Sequence, residues 1–83
     1  MTKIGIVGLG SWGTALGHHL ACCGHDVLAW AREPLIVEQV NFKNQNLKYL
    51  GQVQLNPGLK ASLDLNQVCE LPVVILAFPS AQL

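Results

Sequence analysis

Apolar residues fall in short runs along the chain, each bounded by glycine, proline or polar residues. Lys3-Ile4-Gly5-Ile6-Val7 is β-branched and stopped at once by Gly8-Leu9-Gly10, which predicts a strand over residues 3–7 followed by a tight turn. Residues 12–23 hold Ala, Leu and His with no proline, and Gly24 follows; they predict a helix with Ser11 as its cap and Gly24 as its stop. On a wheel of about 3.6 residues per turn, Gly13, Leu16, Gly17, Leu20 and Ala21 share one face, whose small residues let the helix lie close to a sheet. Asp26 to Ala31 reads as a second strand, and Pro34 sits where the first turn of another helix accepts it, running to about Phe42.

The pattern then loosens. Lys43 to Pro57 is polar and rich in Asn, and predicts a long connection closed by the turn signal Asn56-Pro57-Gly58. Leu59 to Ser62 follows as a short strand and Asp64 to Glu70 as a helix of one or two turns. Pro72 to Phe78 reads as a fully buried parallel strand. The order β-α-β-α-β-(α)-β places residues 1–83 in the α/β class, as the N-terminal portion of a doubly wound parallel sheet: a partial Rossmann fold.

Composition narrows the function without choosing it. The chain has 83 residues, 51% apolar, with a formal net charge of zero, so one compact unit is expected. Without a Lys/Arg cluster there is no electrostatic case for nucleic acid or an anionic membrane surface. Small ligands are the better expectation. Cys22 and Cys23 are adjacent and Cys69 stands apart, a spacing that fits no metal site and implies reduced thiols in a cytoplasmic setting. The opening residues hold no apolar run long enough for a signal peptide or a membrane span.

Gly8-Leu9-Gly10-Ser11-Trp12-Gly13 fits G-x-G-x-x-G, and its context, directly after one strand and opening a helix with a second strand beyond, gives the pattern its weight. Gly8 permits the tight turn, Gly10 lets backbone approach a pyrophosphate, and Gly13 lets helix and strand pack closely. Ser11 and Trp12 bring backbone N–H groups to the helix N-terminus, where the dipole favours an anion. A glycine-rich turn that serves packing alone would explain Gly13 and Gly17, but not Gly10. At the end of the second strand stands Ala31-Arg32 instead of an acidic residue, which favours a 2′-phosphate and therefore NADP over NAD. Glu33 follows at once and keeps NAD open. His18, His19 and Cys22 are expected on the helix face turned from the sheet, as surface or interface residues. His25 is expected in a turn and Trp30 in the core.

Gly8 to Ala15, Gly-Leu-Gly-Ser-Trp-Gly-Thr-Ala, resembles the opening of the bacterial-type NAD(P)-dependent glycerol-3-phosphate dehydrogenases. Gly24-His25-Asp26-Val27, Trp30-Ala31-Arg32, Lys48-Tyr49-Leu50 and Leu76-Ala77-Phe78-Pro79-Ser80 are similar to later landmarks of that family, so the likeness covers essentially the whole chain. The resemblance implies reduction of dihydroxyacetone phosphate to glycerol 3-phosphate by NADPH, in the cytoplasm, for glycerophospholipid synthesis. It makes Ser11, Trp12, Arg32 and Tyr49 cofactor contacts. Catalytic and substrate residues would lie beyond Leu83 in a helical domain, which makes the chain a fragment expected to be inactive alone. Glu33 and Phe78 depart from the family's usual residues. Two other readings stay open: a non-catalytic dinucleotide-sensing module, and a dehydrogenase of hydroxy acids with the same N-terminal half. A homo-oligomer is compatible with any of them.

Overall fold

A computed structural model describes residues 2–77. Four strands, β1 (Lys3–Val7), β2 (Asp26–Trp30), β3 (Leu59–Ser62) and β4 (Val73–Leu76), form one sheet in the order β3-β2-β1-β4. All the pairings are parallel. This is the partial Rossmann arrangement that the strand and helix order predicts. β1 is central, with helices on both of its faces, so Ile4 through Val7 are all buried and the strand reads as a continuous apolar run.

Helix α1 (Ser11–Cys22) covers one face. In register across the sheet beneath it lie Ala61, Ala29, Ile6 and Ile75, with Val27 and Leu59 in the neighbouring row. A Cβ on Gly17 would come within 2.9 Å of the Leu59 side chain and 3.2 Å of Ile6, which is why the small-residue face of α1 meets the sheet there. Ile36, Val40 and Leu55 complete the same core. On the other face lies helix α4 (Leu65–Cys69), capped by Asp64, whose carboxylate accepts from the backbone N–H groups of Asn66 and Gln67. Its Val68 is fully buried, and a Cβ on Gly5 would sit 2.6 Å from the Val68 carbonyl oxygen. Bare backbone at Gly5 therefore sets the approach of α4 to β1.

Several expectations are corrected. Ser11 is the first residue of α1; Gly10 holds the cap position, and no side chain caps the helix. The helix from Pro34 is α-helical only as α2 (Pro34–Glu38) and continues as one π turn, Gln39–Lys43, ended by Asn44 in the left-handed conformation at φ 52°. Asparagine tolerates that region better than most residues. Within the π turn, Asn41 donates to the Ala61 carbonyl (2.9 Å) and accepts from the Ala61 N–H (2.7 Å). It thus pairs the outer edge of β3, which would otherwise offer open hydrogen-bonding groups.

The polar stretch 43–57 is not a plain connection. It contains helix α3 (Leu47–Leu50) and buries Leu55 and Asn46. The last strand is shorter than residues 72–78 and is not fully buried: Val73 is 42% and Leu76 64% exposed. Within the described residues β4 pairs only with β1 and forms a sheet edge, so its apolar run is half covered. Phe78 lies outside the described residues.

Candidate functional site

The turn between β1 and α1 separates its three glycines by what each one does. Gly8 has φ 115°, a region that side-chain-bearing residues rarely adopt, and its N–H donates to the Trp30 carbonyl at 3.0 Å. A Cβ on Gly13 would lie within van der Waals radii of the Gly8 carbonyl oxygen and 3.2 Å from Ala77 Cβ. The fold itself therefore requires these two. Gly10 is different: its φ is −76° and ψ −165°, open to any residue, and a Cβ there would meet nothing within 4 Å. Thr14 N–H is the first to close on the turn, onto the Gly10 carbonyl at 3.0 Å, which leaves the amides ahead of it without helical partners.

Gly10 faces an open cleft of about 1130 Å³ at the C-terminal ends of β1, β2 and β4. Gly8, Gly10, Ser11, Trp12, Arg32 and Tyr49 all line it, brought together from three separate segments. Gly13 does not line it; it sits buried behind the turn. Trp12 is 62% exposed at the rim. Trp30, expected in the core, is half-buried, lines the cleft and donates from Nε1 to the Leu63 carbonyl at 3.0 Å. Arg32 is exposed and makes no ion pair among the described residues.

Short helix α3 forms the outer wall and is held in three ways, two to the turn and the start of α1 and one to the segment after β2. Ser11 Oγ donates to the Tyr49 carbonyl at 3.4 Å. Asn46, fully buried, donates from Nδ2 to the Leu9 carbonyl at 3.1 Å and to Thr14 Oγ1 at 2.8 Å. Its backbone carbonyl also accepts from the N–H groups of Tyr49 and Leu50, which starts α3. The third tie is an ion pair between Lys48 Nζ and Glu33 Oε1 at 2.7 Å. That hydrogen bond raises the Lys48 pKa above the usual lysine value. Lys48 also lies 5.3 Å from the centre of the Tyr49 ring.

Asn46 and Lys48 are the residues that sequence reasoning missed. A buried asparagine inside an Asn-rich stretch looks like its exposed neighbours, and Lys48 meets Glu33 across 15 positions with no periodicity to announce it. His18 also has a structural use: its Nδ1 accepts from the Asn56 N–H at 2.9 Å and anchors the chain before β3. His25 Nδ1 accepts from the Thr2 N–H at 3.3 Å. Among the described residues no three His, Cys, Asp or Glu side chains gather as a metal site, and no helix is long and apolar enough to cross a membrane.

A parallel sheet in this order, a glycine turn leading into a helix N-terminus, and a cleft over the strand ends define a Rossmann-type nucleotide-binding unit. Residues 3–83 match the family model described as NAD-dependent glycerol-3-phosphate dehydrogenase N-terminus, and the chain belongs to that family. It is 39% identical over 83 residues to the NAD(P)+ glycerol-3-phosphate dehydrogenase of Paramagnetospirillum magneticum, covering all of this chain and 30% of that protein. To the corresponding protein of Desulfovibrio desulfuricans it is 46% identical over 78 residues, 94% of this chain and 23% of the other. The crystal structure of glycerol-3-phosphate dehydrogenase from Coxiella burnetii superposes with a TM-score of 0.82 at 36% identity, over 95% of this chain and 25% of that one. The chain thus spans between 23% and 30% of these relatives' lengths.

Proposed function

We propose that residues 1–83 are the N-terminal part of the NADP(H)-binding domain of a glycerol-3-phosphate dehydrogenase, which interconverts dihydroxyacetone phosphate and sn-glycerol 3-phosphate. The observation that carries the nucleotide reading is Gly10: the fold does not need a glycine there, yet the position opens onto the cleft. The residues present fit a dinucleotide. Gly8, Gly10, Ser11 and Trp12 would hold the pyrophosphate against open amides and the positive end of α1, with Gly13 supporting the turn from behind. Arg32 would take the 2′-phosphate as a fixed, always-charged donor fork, and Tyr49 would wall the adenosine end.

A bound nicotinamide supplies hydride transfer; the residues of this chain bind and orient. No catalytic residue is assigned within 1–83, and turnover depends on residues from a separate substrate domain. The setting would be the cytoplasm, where glycerol 3-phosphate feeds glycerophospholipid synthesis. The test is NADPH oxidation followed spectrophotometrically with dihydroxyacetone phosphate. The protein as its gene encodes it is expected to turn over and residues 1–83 alone are expected not to. Oxidation by the isolated chain would refute the assignment of catalysis to other residues, and a full protein that binds NADPH without turnover would favour a sensing module.

A further inference from the structure

One charged side chain that lines the cleft, Glu33, has no part in the nucleotide reading. Arg32 and Glu33 are consecutive after β2 and both line the cleft. A phosphate monoester carries roughly −1.5 to −2 charge at neutral pH, so an uncompensated carboxylate beside Arg32 would oppose the very group that Arg32 is suited to bind. Glu33 is not uncompensated. Lys48 reaches it from α3 at 2.7 Å, and the two side chains keep 53% and 46% of their surface in water. An ion pair as wet as this adds little to fold stability. Its electrostatic effect on the cleft is larger, because beyond a few ångströms the pair acts as a dipole instead of a negative charge. Screening sets the range of any such charge to roughly 8 Å at physiological salt, so Glu33, adjacent to Arg32 in the chain and lining the same cleft, acts on it within that range. Arg32, free of any ion pair among the described residues, then leaves the mouth with one net positive charge.

We propose that Lys48 is a positioning residue for cofactor choice: by pairing with Glu33 it removes that carboxylate's charge from the cleft and leaves Arg32 to select a nucleotide bearing a 2′-phosphate. The proposal rests on the dinucleotide reading above, and goes beyond it by giving Glu33 and Lys48 opposite effects on the same preference. Losing Lys48 exposes a negative charge at the site. Losing the Glu33 charge frees Lys48 as a second cation.

The experiment is equilibrium titration of the protein as its gene encodes it with NADPH and with NADH, at low and high salt. Lys48→Gln is expected to weaken NADPH about fivefold at low salt and NADH less than twofold. Glu33→Gln is expected to tighten NADPH by about the same factor, the double variant to return near the wild-type ratio, and Lys48→Arg to retain it. The differences should shrink at about 0.5 M salt. If instead Lys48→Gln and Glu33→Gln both weaken NADPH and NADH alike, the pair is only a clasp for α3 and the proposal is overturned. Thermal melts within about 2 °C of wild type confirm that both variants fold. Should Lys48→Gln melt lower, the ratio in Glu33→Gln decides, because damage to the fold cannot tighten one cofactor selectively. A wild-type protein that binds neither nucleotide overturns the site reading itself; one that binds NADPH, with variants that fail to separate the cofactors, overturns only the role of Lys48.

Discussion

Replacing Gly10 by alanine separates the needs of the fold from those of a ligand. At φ −76° and ψ −165° an alanine sits without strain, and its Cβ would meet nothing within 4 Å. Two small effects on stability oppose each other. Alanine is a poorer N-cap than glycine by about 0.5–1 kcal/mol, while the loss of glycine's freedom in the unfolded chain returns about 0.4–1 kcal/mol. The net change should be within about 0.5 kcal/mol of zero, or a few degrees in melting temperature for a domain this size. Binding should respond quite differently. A methyl group placed where backbone approaches the pyrophosphate costs about 1–3 kcal/mol of overpacking, roughly a fivefold to 150-fold rise in Kd for NADPH. Gly13→Ala is the contrasting control, because its Cβ would collide with the Gly8 carbonyl oxygen and approach Ala77; it should lower the melting temperature as well as affinity. Calorimetric titration with NADPH, paired with thermal melts, reads both quantities. Unchanged affinity in a folded Gly10→Ala protein would refute the pyrophosphate role.

Three further variants, at two positions, test the rest of the site. Arg32→Gln removes one charge-assisted contact worth about 1.5–3 kcal/mol, so NADPH affinity should fall by roughly tenfold to a hundredfold while NADH changes little in the same titration; equal losses for both would exclude Arg32 as the 2′-phosphate ligand. Asn46→Ala strips the donors from the Leu9 carbonyl and Thr14 Oγ1 and should destabilise the fold by about 1–3 kcal/mol, visible as a lower denaturation midpoint. Asn46→Asp buries a carboxyl in the same place, where the neutral acid is favoured. Its folded-state pKa lies above the unfolded one, so stability is greatest at low pH and is lost as pH rises above about 4. A melting profile flat between about pH 4 and 7 would show that position 46 is not enclosed.

The parts legible in the sequence are those set by local pattern. The β1 run, the glycine turn, the small-residue face of α1 and the Ala31-Arg32 step each lie within a few consecutive residues or one helical repeat. Periodicity and turn chemistry reach that far and no further. The stretch 43–57 failed this kind of reading for a physical reason: Leu55 and Asn46 are buried by residues distant in the chain, and a four-residue helix such as α3 has no periodicity of its own. Its place in a strand predicts a core position for Trp30, yet strand ends in this architecture open onto the cleft. The apolar run of β4 predicts an enclosed strand, but such a run looks the same in a central strand and at an edge, where β4 lies among the described residues. Glu33 shows the limit most plainly. In the sequence its charge conflicts with Arg32; in the fold Lys48, 15 positions away, pairs with it at 2.7 Å.

A crystal structure of the protein with NADP+ bound tests the central claim most directly. The account predicts the pyrophosphate against the backbone N–H groups of Ser11 and Trp12, over Gly10, with the 2′-phosphate on the guanidinium of Arg32. Nucleotide density elsewhere on the molecule, or a 2′-phosphate turned away from Arg32 into solvent, would contradict it.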